Sequence, residues 1–194
     1  VAHSALVNFV FLTRSRLRLT AADHFLQFTS FSFDVFVEEV FPTLATGARV
    51  VMAEAEEMMT AAGLNALIER EGVTLCELPT AFWHEWVRTL AETGGAAPKS
   101  LRIVLVGGEK LSAERVTQGV KMGLPLVNIY GLTETAVTSA LFDLTTEARD
   151  GGGEDAAGTG GRGGAWAWRP GRELPIGRAV ENTRLYVLDA GMRP

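Results

Sequence analysis

Cysteine is nearly absent from this chain, since Cys76 is the only one among 194 residues. One cysteine cannot form an internal disulfide, and its place in the apolar run 73–76 predicts a small buried thiol. These facts exclude a scaffold held together by internal disulfides and favour a reducing, cytoplasmic setting.

Positive charge and long apolar runs are also scarce. The net charge is −5, from 18 Lys and Arg against 23 Asp and Glu, whereas proteins that bind phosphates or anionic lipid carry a basic excess. No apolar stretch approaches the length of a membrane span, and the N-terminus lacks the features of a signal peptide. We therefore expect neither nucleic acid nor a membrane as a partner.

Two common kinds of site lack their sequence signatures. His3, His24 and His84 lie far apart, with no cysteine or acid at the spacing of zinc ligands. No G-x-x-x-x-G-K-[ST] loop occurs, which argues against a P-loop nucleoside triphosphatase.

The chain does contain alternating helical and strand patterns, with 47% apolar residues overall. The predicted helices cover residues 3–16, 56–70, 80–91 and 112–122, together with one from about residue 33 that Pro42 should kink or end. The predicted strands cover residues 25–29, 49–52, 74–78, 101–106, 126–129 and 184–188. Such alternation predicts an α/β fold, with a doubly wound, largely parallel sheet and helices on both faces.

Glycine is concentrated in one stretch, 151–164, where eight of fourteen residues are glycine. Such a stretch cannot bury a core, so we predict a flexible loop at about 147–171. Trp166 and Trp168 are expected to anchor the chain beyond the glycines.

Two acids lie near the start of the second predicted helix, just after a strand. In an open parallel sheet, ligands bind near the carboxyl ends of the strands. Asp34 and Glu38 are four residues apart and share one helical face, where a cation between them would relieve their repulsion. The same spacing is typical of ordinary acids that face water near a helix N-terminus, and spacing alone does not decide between the two interpretations.

Two further clusters follow predicted strands. Gly107 and Gly108 would let the backbone approach a ligand closely, although they are a weak signal alone and form no dinucleotide fingerprint. Residues 128–135 bring together an aromatic ring, a glycine, a hydroxyl and a carboxylate, a set suited to stacking a base and binding magnesium. An ordinary turn after a strand is the alternative.

The three clusters, in this order and at this spacing, resemble the adenylate-forming (AMP-binding) enzymes, and most closely the adenylation domains of nonribosomal peptide synthetases. Residues 2–8 resemble the helix that follows the family's phosphate-binding loop, and residues 174–178 and 182–189 resemble the approach to its next motif. The resemblance implies that residues 1–194 form a partial adenylation domain, from the large N-terminal domain of such an enzyme.

The resemblance also implies a reaction in secondary-metabolite biosynthesis. An amino acid attacks the α-phosphate of MgATP to give an aminoacyl-adenylate and pyrophosphate, and the acyl group then passes to a carrier-protein thiol on phosphopantetheine. ATP and magnesium are the implied cofactors. The implied partners are the carrier-protein and condensation domains of the parent synthetase.

Residue roles follow from the motif match. Asp34 would pair with the α-ammonium group of the substrate, Tyr130 would stack on adenine, and the catalytic positions would be Thr133, facing the α-phosphate, and Glu134, binding magnesium. The nucleotide-binding positions are Gly107, Gly108, Glu109, Asn128, Tyr130, Gly131 and Thr133. The amino-acid-binding positions are Asp34, Val35, Glu38, Glu77, Leu105, Gly107, Ile129, Val137 and Thr138.

Three residues depart from the family pattern: Phe36 replaces a small hydroxyl residue, Glu38 a common tryptophan and Leu132 a proline. With Asp34 bound to the ammonium group, Glu38 and Glu77 remain as pocket carboxylates, and burying them unpaired is costly. This favours a basic substrate such as ornithine, lysine or arginine. A neutral substrate stays open.

The chain is expected to be an internal fragment, because it starts at Val1 rather than methionine and stops just after a strand-like run. By resemblance, the lysine-bearing phosphate loop would precede Val1, and the ribose-binding aspartate and the catalytic lysine would follow Pro194. The isolated chain is therefore expected to be inactive. An acyl-CoA synthetase-like enzyme, to which Asp34 is poorly suited, and a non-catalytic ligand-binding subdomain are the alternatives.

Overall fold

The computed structural model describes residues 1–145 and 168–194, whose helices and strands alternate as predicted for an α/β fold. The helices are α1 His3–Arg16, α2 Val35–Thr46, α3 Ala55–Met58, α4 Ala61–Glu71, α5 Thr80–Thr93 and α6 Ala113–Lys121, with a short 3₁₀ helix Thr133–Thr135. The strands are β1 His24–Gln27, β2 Arg49–Met52, β3 Leu75–Pro79, β4 Ile103–Gly107, β5 Leu126–Tyr130, β6 Ala140–Asp143 and β7 Arg178–Ala179.

Within the described residues these strands form one sheet in the order β2-β1-β3-β4-β5-β6-β7. Strands β1 to β5 are parallel to their neighbours, so their carboxyl ends share one edge of the sheet. Strands β6 and β7, which the sequence did not predict, are antiparallel additions beside β5. The largely parallel α/β architecture is confirmed.

The core divides between the two faces of the sheet. Helices α4, α5 and α6 pack on one face, where Trp83 and Trp86 are completely buried against strand residues such as Val104. On the opposite face, Leu17 and Leu19 cover residues that include Leu105. Side chains alternate between faces along each strand, so the residues at the strand ends have fixed directions.

Two helices differ from the predicted pattern. Of the two outcomes expected at Pro42, a kink or an end, the end is wrong, because α2 continues to Thr46 and stops at Gly47, which has a left-handed φ of +77°. Pro42 is buried, and its packing compensates for the missing backbone hydrogen bond. The single helix predicted over 56–70 is two helices, because Thr60 is extended and caps α4 by accepting the N–H of Gly63 at 3.0 Å.

The segment 184–188, predicted as a strand, forms none. Tyr186 and Val187 are 62% and 94% exposed, and no neighbouring strand among the described residues pairs with them. A strand needs such a neighbour to satisfy its backbone donors and acceptors.

The segment from residue 168 onward is fastened to the sheet and to α6. Trp168 packs against the core and donates from Nε1 to the carbonyl of Arg172 at 2.9 Å. The N–H of Gly171 donates to Thr117 Oγ1 at 3.0 Å. Trp166 and most of the loop predicted at 147–171 lie outside the described residues. None of the helices in residues 1–145 and 168–194 is long and apolar enough to cross a membrane.

Candidate active site

A cavity of about 600 Å³ opens at the carboxyl ends of the parallel strands. Segments far apart in the sequence supply its walls, because the parallel topology brings their strand ends to one edge. The lining residues are Thr29, Phe33, Asp34, Val35, Glu77, Leu78, Pro79, Gly107, Gly108, Ile129, Gly131, Leu132, Thr133, Glu134, Val137 and Thr138.

Most residues singled out from the sequence lie on this cavity. The predicted positions that line it are Asp34, Val35, Glu77, Gly107, Gly108, Ile129, Gly131, Thr133, Glu134, Val137 and Thr138. Those not among the lining residues are Glu38, Leu105, Glu109, Asn128 and Tyr130. The other five lining residues, to which the sequence assigned no site role, are Thr29, Phe33, Leu78, Pro79 and Leu132. All of them except Phe33 lie at or just beyond a strand end, the signal that could have found them.

Strand register places three of the lining residues, Glu77, Gly107 and Ile129, on one face of the sheet. Glu77 pairs with Leu105, and Gly107 pairs with Ile129, so all four side-chain positions point to the same face. A Cβ on Gly107 would lie 2.5 Å from Ile129 Cγ1 and 2.7 Å from the Ile129 carbonyl oxygen. Only glycine fits there without a shift of Ile129.

The segment after β5 folds tightly back toward the strand. A Cβ on Gly131 would lie only 1.6 Å from the Val137 carbonyl oxygen, so this approach requires glycine. Ala136 and Val137 both have left-handed φ values, 64° and 68°, which cost energy in residues with a Cβ. The strained turn holds the 3₁₀ helix so that Thr133 lines the cavity.

Asp34 lies at the amino end of α2. Its side chain accepts no capping hydrogen bond from the helix, and it lines the cavity. The geometry leaves this carboxylate able to bind a cationic group in the cavity.

Glu38 does not face water, so the alternative of two solvated surface acids fails for this residue. It is 3% exposed, and its Oε2 accepts the Thr138 hydroxyl at 2.8 Å. The pKa of Glu38 is raised to about 7. Burial is the largest cause, the Thr138 hydrogen bond opposes it, and the nearby charge of Asp34 adds to it.

Glu77 is the least satisfied carboxylate of the site. It is 4% exposed, and its buried Oε2 has no hydrogen-bond partner in the described structure. Burial raises the pKa of Glu77 well above its ordinary value, and the charges of Glu38, Glu39 and Asp34 add to the effect. Burial also raises the pKa of Glu39 to about 7, against the opposing hydrogen bonds from the N–H groups of Phe28 and Thr29.

The carboxylates of Asp34, Glu38, Glu39 and Glu77 form an acidic cluster. None of the four takes part in a salt bridge within residues 1–145 and 168–194, so no cation balances the cluster there. The described residues also contain no group of three or more metal-ligating side chains. Glu134, which lies outside the acidic cluster, lines the cavity as a single carboxylate, and Mg²⁺ in proteins commonly combines one or two carboxylates with the phosphate oxygens of a nucleotide.

The remaining predicted positions surround the cavity. Tyr130 is 41% exposed at the end of β5, and Leu105 is completely buried within β4 and does not line the cavity. Asn128 uses its side-chain amide to donate to the Pro175 carbonyl at 2.7 Å. Thr80, which the sequence did not reveal, fixes the turn after β4 by donating its hydroxyl to the carbonyls of Gly107 and Glu109, at 2.9 and 3.3 Å.

Comparison with known proteins places this site in a family. All 194 residues match the family model described as AMP-binding enzyme. The chain is 31% identical over 192 residues to isonitrile lipopeptide synthase of Streptomyces coeruleorubidus. It is 32% identical over 191 residues to surfactin synthase subunit 1 of Bacillus subtilis. These alignments cover 97% and 98% of this chain but only 12% and 4% of the relatives.

Solved structures agree with the sequence comparison. The AMPPNP-bound crystal structure of the nonribosomal peptide synthetase FmoA3 superposes on the whole chain with a TM-score of 0.78 at 26% identity, and the match covers 19% of that protein. The chain therefore belongs to the AMP-binding enzyme family, which confirms the resemblance to the adenylation domains of nonribosomal peptide synthetases.

Proposed function

We propose that this chain is the part of an amino-acid adenylation domain that binds the amino acid and the α-phosphate of ATP. The complete domain would join the substrate carboxylate to AMP and release pyrophosphate. The observation that carries the proposal is the convergence on one cavity of Asp34, the two glycines at the end of β4, and the pair Thr133 and Glu134. Family membership supports the same reaction.

The amino group of the substrate would bind Asp34. This carboxylate is not consumed by helix capping, and it also lines an adjoining cavity of about 390 Å³ together with Thr133. An ammonium group held by Asp34 would leave the substrate carboxylate free to approach the phosphate side of the site. Fixing the two reactants in this way supplies much of the rate enhancement expected of such a site.

The nucleotide would bind along the glycines and the turn after β5. Gly107 and Gly108 allow close approach of the adenine, and Tyr130, partly exposed, offers a ring for stacking. The Thr133 hydroxyl would donate to the α-phosphate, and Glu134 would hold magnesium. The ion would supply positive charge that offsets the charge developing on the phosphate.

The side-chain pocket favours a basic amino acid such as ornithine, lysine or arginine. Glu77 lines the cavity and has a buried oxygen without a hydrogen-bond partner in the described structure, whereas Glu38 already accepts the Thr138 hydroxyl. An ammonium or guanidinium group would satisfy the Glu77 carboxylate and lower its raised pKa. We therefore assign the contact with the distal cation to Glu77 and a supporting charge to Glu38.

The parent protein would pass the activated acyl group to a phosphopantetheine thiol on a carrier-protein domain, next to condensation domains, in secondary-metabolite biosynthesis. Its proposed setting is the cytoplasm. Because the chain spans 12% or less of the two curated relatives described above, we propose that residues 1–194 alone do not complete the reaction.

Amino-acid-dependent ATP–pyrophosphate exchange tests this proposal. The segment would replace the matching residues of a complete adenylation domain, and the chimera would be offered a panel of acids. Exchange with a basic amino acid that falls about tenfold or more in Glu77→Gln is expected, since a charged hydrogen bond is lost. Exchange with neutral amino acids only would overturn the assigned side chain but keep the reaction.

Two other outcomes would replace the proposed reaction. Exchange that depends on carboxylic acids without an amino group would favour an acyl-CoA synthetase-like enzyme. A folded chimera that binds ATP without exchange would favour a non-catalytic binding role.

A further inference from the structure

A third buried acid beside the site, Glu39, has no role in the function proposed above. It follows Glu38 on α2 and is completely buried, yet its carboxylate contacts a different part of the protein. Burying a carboxylate is costly unless hydrogen bonds or a cation compensate, and no described salt bridge involves Glu39. Hydrogen bonds must therefore compensate for burying the Glu39 carboxylate.

The Glu39 carboxylate binds the backbone of the loop that follows β1. Its Oε1 accepts the N–H groups of Phe28 at 3.1 Å and Thr29 at 3.0 Å, and its Oε2 accepts the Thr29 N–H at 3.2 Å. Both donors lie just beyond Gln27, the last residue of the strand. Two consecutive backbone N–H groups share this one buried acceptor, so Glu39 fixes the start of the loop.

The loop held by Glu39 leads directly to Asp34. Thr29 and Phe33 line the same cavity as Asp34, and the N–H of Phe33 donates to the Ser30 carbonyl at 2.9 Å. The few residues between Thr29 and α2 leave little slack in the backbone. A displacement at Thr29 would therefore move the cavity wall and the acid that ends the loop.

We propose that Glu39 is a positioning residue, which holds loop 28–34 through two backbone N–H groups and thereby sets where Asp34 meets the amino group of the substrate. Glu39 is not among the residues that line the cavity, so it acts through the loop rather than on the substrate. The proposal has two halves. The loop half, that Glu39 holds loop 28–34, rests on the hydrogen bonds alone. The substrate half, that this sets where Asp34 meets the amino group, rests on the proposed function.

Steady-state exchange kinetics in the chimera test the substrate half. Glu39→Leu removes the acceptor at similar volume, and Glu39→Gln retains an amide oxygen that can accept both N–H groups. We expect Glu39→Leu to raise the KM for the amino acid about tenfold, with the KM for ATP within about twofold, and Glu39→Gln to restore most of the loss. Thr43→Val, which removes a buried hydroxyl one turn along α2, is the matched control.

A purely structural role would give a different pattern. Glu39→Leu would then behave like Thr43→Val, with a lower melting temperature and both KM values unchanged, and this result would overturn the proposal. Absence of exchange with every amino acid in the unmutated chimera would instead refute the proposed function, and the loop measurement below would still decide the role of Glu39.

Amide hydrogen exchange on the 194-residue chain tests the loop half without any substrate. The Phe28 and Thr29 amides should be protected nearly as well as those of β1, and Glu39→Leu should reduce their protection at least tenfold while β4 stays protected. If these two amides exchange as freely as exposed loop amides in the unmutated chain, Glu39 does not hold the loop. The measurement on the unmutated chain requires no variant to fold.

Discussion

Replacing the Glu38 carboxyl with an amide should change how the stability of the protein depends on pH. Burial raises the pKa of Glu38 from 4.5 to about 7, so the folded state retains a proton that the unfolded chain has already lost. Ionisation of this group therefore opposes folding. The loss of stability begins near pH 4.5, grows as the pH rises toward 7, and then levels off.

The size of the effect follows from the two pKa values. A difference from 4.5 to about 7 corresponds to a free-energy penalty of about 3 kcal/mol once the pH exceeds 7. Glu38→Gln removes this penalty, and its amide oxygen can still accept the Thr138 hydroxyl. The variant should exceed the unmutated protein by less than about 1 kcal/mol at pH 5 and by about 3 kcal/mol at pH 8.

Urea denaturation at several pH values between 5 and 8 measures this difference. Glu69→Gln, which neutralises an exposed carboxylate outside every described salt bridge, controls for the change in net charge. Parallel stability curves for Glu38→Gln and the unmutated protein would refute the reasoning, as would a variant that is less stable at pH 8.

Two further substitutions test the packing that shapes the site. Gly107→Ala should destabilise the protein by about 2 kcal/mol in urea denaturation, because its Cβ would lie 2.5 Å from Ile129 Cγ1; an unchanged midpoint would contradict the close approach of β4 and β5. Arg102→Ala should lower the free energy of unfolding by about 2 kcal/mol at neutral pH, because Arg102 Nε and Nη2 bind the buried Asp23 at 2.7 and 2.8 Å. The loss is moderate because solvent reaches the partly exposed arginine and weakens the ion pair. The pKa of Asp23 is lowered to about 2: burial, the largest influence, raises it, but hydrogen bonds from Arg102, Thr20 and Thr74 together lower it more. The stability that ionised Asp23 contributes is therefore present above pH 4 and is lost as the pH falls toward 2. A deficit in Arg102→Ala that is as large at pH 2 as at pH 7 would contradict this account.

Local sequence patterns predicted most of the parallel sheet, because each strand is a short apolar run between helical patterns. Helix α1 and strand β2 match their predicted bounds. The misses arose where distant contacts decide the outcome. Strand β6 exists because the chain folds back at Gly131, an approach that depends on Val137 and that no local pattern records.

Motif resemblance located most of the residues on the cavity but not their electrostatic state. It grouped Glu38 and Glu77 as pocket acids. Only the packed structure shows that Glu38 accepts the Thr138 hydroxyl, whereas one oxygen of Glu77 has no hydrogen-bond partner in the described structure. The function of Glu39 could not be predicted either, because its partners are backbone N–H groups, which have no signature in the sequence.

The most direct test of the central claim is amino-acid-dependent ATP–pyrophosphate exchange with Asp34→Asn in the chimera. Removing the charge that binds the substrate ammonium group should lower kcat/KM for the amino acid about a hundredfold, while binding of ATP alone stays unchanged. Exchange by Asp34→Asn at the rate of the unmutated chimera, with the same preferred amino acid, would contradict the account.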